Sequence, residues 1–250
     1  MGSGTSMGVP TIGCECEVCV SENPKNKRTR PSLLVRTAGK HLLIDTATDL
    51  RAQAIREGLK RIDAVLYTHS HADHILGLDD LRPFNFWQKK HIPCFGNEIT
   101  MEKVCDTFKY VFTEPQPGGS MPRIEPHVVN DRFEFEGVTV QPLPILHGRM
   151  PIFGYRIGRL SYITDCSEIP SETYGLLKGT KVLVLGVLRY APHPTHLNLE
   201  QALQIIDRVQ PERAFFTHIS HDFDHDRANA ELPEHIRLSY DGLRFEMEGE

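Results

Sequence analysis

The chain has 250 residues, 40% hydrophobic and 24% charged, enough to bury a sizeable core in one large domain or two small ones. Its formal net charge of −5 argues against nucleic acid held on a broad basic face, yet a small anionic substrate can still enter a locally positive cleft. No apolar stretch approaches the ~20 residues of a membrane span, and residues 1–6 have neither the basic region nor the apolar core of a signal peptide, so a cytoplasmic protein with no membrane partner is expected.

Residues 2–13, rich in Gly, Ser and Thr, read as a tight turn more than as a phosphate cradle. Cys14-Glu15-Cys16-Glu17-Val18-Cys19 gathers three soft sulfur ligands that suit a tetrahedral zinc, the fourth ligand coming from elsewhere. The alternative is a set of reduced thiols in a mobile loop. Cys94, Cys105 and Cys166 are scattered and read as small buried apolar residues; six cysteines without a signal peptide are poor grounds for disulfides. Residues 21–31, with Lys25, Lys27, Arg28 and Arg30 beside Pro24 and Pro31, read as a solvated loop. Apolar runs at 33–36 and 42–44 flank Gly39-Lys40 and predict a β-hairpin ending at Asp45-Thr46. A helix is expected over 50–57, with Thr48 or Asp49 placed to cap it.

Residues 64–67 form an apolar run rich in β-formers that stops at Thr68. Three histidines and an aspartate follow in six residues, His69-Ser70-His71-Ala72-Asp73-His74. A strand that ends in such a cluster delivers side chains from a rigid edge, as a metal site requires. His69 and His71, two apart in extended backbone, point the same way and can grip one ion. Asp73 and His74 follow where the chain turns into a helix, within reach of a second ion. The plain alternative is a polar turn with surface histidines. Beyond it, Arg82 is a candidate for contacting substrate phosphate, with a surface ion pair as the competing role. A strand at 93–96 and a helix over 98–110 come next. The stretch 113–126 carries four prolines and two glycines and reads as an irregular loop or lid.

Residues 133–140 alternate around Gly137 as a hairpin, and the second strand continues to His147, where a strand-end histidine can supply a third nitrogen ligand. Strands at 153–157 and 160–164 lead into Asp165. A carboxylate there can bridge two metals through its two oxygens, or cap a helix from Glu168, a role for which Ser167 competes. Residues 181–188 predict a strand buried on both faces. His193 and His196 lie in the loop before a helical stretch at 197–209, and the last long strand, 213–217, runs into His218. A short strand pattern closes the chain.

The motif at 69–74 resembles the signature of the metallo-β-lactamase superfamily. That resemblance implies an α/β (α+β) fold, a four-layer αββα sandwich around a dinuclear site, as a single domain over 1–250 in which residues 10–30 form a zinc-stapled loop. Members similar to this chain place an aspartate at the position of Asp45 to brace the histidine loop. The first metal is assigned to His69, His71, His147 and Asp165, and the second to Asp73, His74, Asp165 and His218. Donors of this mix suit zinc or manganese. Two such ions roughly 3.5–4 Å apart would hold a hydroxide between them, poised to attack.

Three further features are similar to the phosphoribosyl 1,2-cyclic phosphate phosphodiesterase (PhnP) family: residues 2–10 with the cysteine trio, His196-x-Asn198-Leu199, and Thr217-His218-Ile219-Ser220-His221-x-Phe223-Asp224. In that family a comparable glycine-rich stretch follows a first β-strand, whereas here only Met1 precedes it. The resemblance implies hydrolysis of a small cyclic phosphodiester, a structural zinc on Cys14, Cys16, Cys19 and His221, and His196 as general acid to the departing ribose oxygen. Asp73 and Asp165 belong to the same catalytic set, and His193 is a competitor for the acid role. Rival readings are a glyoxalase II-type thioesterase, a tRNA-processing nuclease and a non-catalytic zinc-binding cofactor-pathway protein. The first carries an added helical domain, yet 29 residues follow His221; the second needs a basic arm that is absent from the sequence. A full set of seven active-site ligands argues against the third. A homodimer is compatible with the sequence, which sets neither the oligomeric state nor the physiological ester.

Overall fold

The computed structural model of the chain describes residues 1–113 and 120–247. They fall into two compact units, Met1 with Ser32–Asp131, and Gly2–Pro31 with Arg132–Glu250.

In the first unit β1 (Leu33–Thr37) and β2 (Lys40–Ile44) form the expected antiparallel hairpin, Leu33 opposite Ile44 and Thr37 opposite Lys40. Then β3 (Ala64–Leu66), β4 (Ile92–Gly96) and β5 (Ile124–Val128) add in parallel, giving the order β1-β2-β3-β4-β5. Parallel neighbours need crossovers. Helices Leu50–Arg56, Ala72–Ile75 with Arg82–Gln88, and Glu98–Thr107 provide them and cover a core that includes Leu43, Val65, Tyr67, Leu78, Ile92 and Val104. Every residue of β3 is buried, which is why its run shows no polar alternation. Two expectations are corrected. Neither Thr48 nor Asp49 caps helix Leu50–Arg56: Asp49 makes no side-chain cap, and the Thr48 hydroxyl donates instead to the Ala72 carbonyl (3.2 Å). Of the expected loop 113–126, residues 114–119 lie outside the described residues, and its end is strand β5. Pro126 disguised that strand, since an edge strand tolerates a residue without an N–H.

In the second unit β6 (Phe133–Phe135), β7 (Val138–His147), β8 (Met150–Ile157) and β9 (Leu160–Ile163) form an antiparallel meander. Next, β10 (Val182–Gly186), β11 (Arg213–Thr217) and β12 (Ile236–Leu238) run parallel to β9, in the order β12-β11-β10-β9-β8-β7-β6. Helices Ser171–Leu177, Leu199–Val209 and His225–Glu231 are the crossovers over a core that includes Leu143, Ile163, Leu183, Leu185, Ile206 and Phe216. Asn198 opens helix Leu199–Val209 with a capping box shared with Gln201. The segment 24–30 departs from the solvated loop that its charges suggested. Arg28 is buried, because its guanidinium is used inside the unit by carbonyls of the 220–223 turn.

Each sheet therefore brings the carboxyl ends of its parallel strands to one edge, where ligands bind in open α/β sheets. Asp45 and Thr68–His69 follow β2 and β3; Asp165 and His218 follow β9 and β11. Two antiparallel steps make β7 co-directional with β9, so His147 emerges at that same edge of its sheet. Among the described residues no helix is long and apolar enough to cross a membrane.

Candidate metal centre

In the first unit, His69, His71, Asp73 and His74 are brought together. The His69 ring centroid lies 4.6 Å from that of His71 and 4.1 Å from that of His74, and His74 Nε2 is 3.2 Å from Asp73 Oδ2. His69, Asp73 and His74 are buried, while His71 is exposed. Behind them sits Asp45, which braces the loop as expected. Its Oδ1 accepts the Thr68 backbone N–H (2.8 Å), and its Oδ2 accepts the Thr68 hydroxyl (2.8 Å) and His74 Nδ1 (2.7 Å). The Thr68 hydroxyl in turn accepts from His69 Nδ1 (3.0 Å). With the protons of His69 and His74 fixed on Nδ1, the lone pairs lie on Nε2, toward the cluster. Burial raises the Asp45 pKa, against the pull of His74 and Thr68.

In the second unit, His147, Asp165, His196 and His218 are brought together. Asp165 Oδ1 is 2.7 Å from His218 Nε2 and 3.6 Å from His196 Nδ1. The His196 ring stacks on His218 at 5.0 Å and tilts against His147 at 4.7 Å and His193 at 5.0 Å. His147 Nδ1 donates to the Thr195 carbonyl (2.8 Å), so here too Nε2 carries the lone pair. The order of the strands explains the placement. Val184 pairs with Tyr162 on β9 and Phe215 on β11, which sets Asp165 and His218 on either side of the end of β10. A Cβ on Gly186 would stand 3.1 Å from the Asp165 nitrogen, so a hydrogen at that position lets the backbone close in. Asp165 and His218 leave their strands with φ of +50° and +56°, as Asp45 does at +63°. For residues with a Cβ such turns cost of order 1–3 kcal/mol each and cluster at functional sites. Burial pushes His196 down to about 3, against the pull of Asp165, and lowers His193 as well.

The third group is Cys14, Cys16, Cys19 and His221, all in the second unit. The sulfurs stand 3.2, 3.4 and 3.4 Å from His221 Nδ1, and the four donor atoms lie within 4.8 Å of one another. Bonds of about 2.3 Å to sulfur and about 2.0 Å to nitrogen at tetrahedral angles require such separations, so the donors fit a zinc ion. The Cys19 backbone N–H is the main cause holding the Cys16 thiol down at about 6, whereas burial pushes Cys19 up to about 11. Imidazole and carboxylate donors in the other two groups suit zinc or manganese. Arg82 forms the ion pair with Asp79 that competed with its substrate role, and also donates to the Ser120 carbonyl (3.2 Å).

Sequence reasoning missed three supporting residues. Thr68 stands directly before the motif and could have been found there. Thr195 acts through its carbonyl, which no side chain announces, and Arg28 looked like a surface cation.

Residues 40–219 match the family model for the beta-lactamase superfamily domain. The chain belongs to the metallo-β-lactamase superfamily and has its fold with two sheets. Within that superfamily the protein is PhnP-like. It is 45% identical, at a TM-score of 0.92, to the crystal structure of a new diphosphatase from the PhnP family, covering 99% of this chain and 96% of that one. The fold is also that of zinc-bound PqqB from Methylobacterium extorquens, at a TM-score of 0.80, 20% identity and 98% coverage of both. A Porphyromonas gingivalis protein named octanoyltransferase is 41% identical over 247 residues, 97% of this chain, and the chain spans half the length of that relative.

Proposed function

We propose that the protein hydrolyses a small anionic phosphodiester, of the phosphoribosyl 1,2-cyclic phosphate type, with two divalent cations. His69, His71, His147 and Asp165 would hold one cation, and Asp73, His74, Asp165 and His218 the other, with Asp165 shared. The observation that carries this reading is the preparation of the histidines: Asp45, Thr68 and Thr195 fix Nδ1 of His74, His69 and His147 and leave Nε2 for an ion. When bound, a pair of Mn2+ or Zn2+ ions supplies Lewis acidity, drawing charge from the phosphate oxygens and lowering the pKa of water toward neutrality.

The chain's own residues do the rest. Asp165 and Asp73 set negative charge among the histidines, which would hold the cations in place. His196, beside Asp165, stacked on His218 and tilted against His147, delivers the proton to the leaving oxygen as water adds to phosphorus and the P–O bond breaks. In the free protein its burial keeps the ring neutral; the phosphate anion of the substrate favours the imidazolium and raises its pKa on binding. Arg82 can add charge toward the substrate after release from Asp79. Cys14, Cys16, Cys19 and His221 would hold a structural zinc.

A second reading, cleavage of a diphosphate bond, is favoured by the 45% identity to a PhnP-family diphosphatase. Both are separated from acyl chemistry by one panel: a cyclic phosphodiester, a linear phosphodiester, a diphosphate diester and an acyl thioester, each assayed with Mn2+ or Zn2+ and with metal analysis. Turnover of the cyclic phosphodiester is expected. Turnover of the thioester alone would overturn the assignment.

A further inference from the structure

Arg28 is 2% exposed, although it lies in the most basic stretch of the amino-terminal segment. Its Nη1 donates to the Ser220 carbonyl (2.9 Å), and its Nη2 donates to the Phe223 carbonyl (2.8 Å) and Asn26 Oδ1 (3.1 Å). Ser220 and Phe223 are the two ends of the turn that carries His221. Asn26, fully buried, extends the grip: its Oδ1 accepts the His225 N–H (2.9 Å) and its Nδ2 donates to Asp224 Oδ2 (2.7 Å) and Ser21 Oγ (3.1 Å). On the other side of the same turn, the Thr5 N–H donates to the Ile219 carbonyl (3.2 Å) and the Ile219 N–H to the Ser3 carbonyl (3.0 Å). A Cβ on Gly4 would stand 2.7 Å from the Arg28 carbonyl, so a glycine there lets the two chains close. Lys27 Nζ reaches the Cys19 carbonyl (3.0 Å), tying this stretch to the cysteine trio as well.

Two residues thus separate His218, in a left-handed conformation, from His221 among the thiols, and one guanidinium holds the backbone between and beyond them. We propose that Arg28 is a positioning residue that couples the cysteine site to the His218 site, so that an ion among Cys14, Cys16, Cys19 and His221 strengthens binding of an ion at His218. The inference rests on the ligand roles proposed above. Arginine suits the task because its planar fork holds donors on separate nitrogens in fixed, spread directions toward two carbonyls and an amide oxygen, whereas an ammonium gathers its three donors on one nitrogen at the end of a flexible stem.

Cobalt(II) reads the two kinds of site separately. Bound to thiolates it gives an intense charge-transfer band, and among imidazoles and carboxylates it gives weak d–d bands alone. Protein stripped with a chelator is titrated with Co2+ as parent, Cys14→Ser and Arg28→Met, with folding checked by far-ultraviolet circular dichroism. In the parent, affinity at the d–d site is expected to be roughly tenfold higher than in Cys14→Ser, within the usual range of coupling between sites. Arg28→Met should bring the parent affinity down to that of Cys14→Ser, adding Cys14→Ser to it should change little more, and Arg28→Lys should lie between. If Arg28→Met does not fold, Asn26→Ala takes its place with the same expectation. An undiminished factor in the Arg28→Met or Asn26→Ala background, or no factor in the parent, overturns the coupling. Loss of the charge-transfer band from the parent would instead overturn the cysteine-site reading itself.

Discussion

Asp45 is wholly buried, yet none of its four lone-pair directions needs to face a cation. It spends two oxygens on Thr68 and His74, and so would act on a metal only through the two histidines it orients, His74 directly and His69 by way of Thr68. Asp45→Asn removes the charge and turns one acceptor into a donor, which faces Thr68 or His74 with the wrong partner. Metal affinity is expected to fall 10- to 100-fold, measured by competition with a chromophoric chelator. His196 differs in kind, since it is no ligand in the proposed set. His196→Ala should slow turnover of a cyclic phosphodiester by about 10²- to 10⁴-fold with metal content intact. Unchanged turnover would remove His196 from the acid role and leave His193, 5.0 Å away, to be tested next.

At the scale of elements, the loop 193–198 is held at one end by the capping box of helix Leu199–Val209 and at the other by the Thr195 carbonyl on His147. Asn198→Ala should cost about 1 kcal/mol, a fall in Tm of a few degrees by differential scanning fluorimetry. His225, at the start of the helix His225–Glu231, gives a pH signature. Burial is the main cause lowering its pKa to about 4, with Lys25 and Arg28 adding to it. Between about pH 4 and 6.5 the unfolded chain therefore binds more protons than the folded one. This share of stability is complete above pH 6.5 and is lost as the pH falls toward 4. Urea midpoints at pH 7 and pH 5 should differ by less in His225→Gln than in the parent; an identical difference would rule His225 out.

The histidine loop was legible from sequence because its donors are neighbours in the chain and strand geometry alone sets their direction. The hairpin at Gly137, the strand ending in Asp165 and the helix behind Asn198 were legible for the same local reasons. Arg28 was not: four cations between two prolines look solvated, and what buries the third is a turn 192 residues away. Strand β5 was hidden by Pro126, and the hold on His147 is a main-chain oxygen.

For the whole molecule, cations that bind the folded chain and not the unfolded one must stabilise it, by about 2.7 kcal/mol at a hundredfold excess over Kd. Exhaustive chelation is therefore expected to lower Tm by several degrees as well as to abolish turnover, and readdition of Mn2+ or Zn2+ should restore both. The most direct measurement is anomalous diffraction from crystals of the purified protein, collected at the zinc and manganese edges. Two peaks flanking the Asp165 carboxylate, with a third among Cys14, Cys16, Cys19 and His221, are expected. Density at the cysteines with none beside Asp165 in metal-replete, active protein would contradict a shared carboxylate at the heart of the reaction.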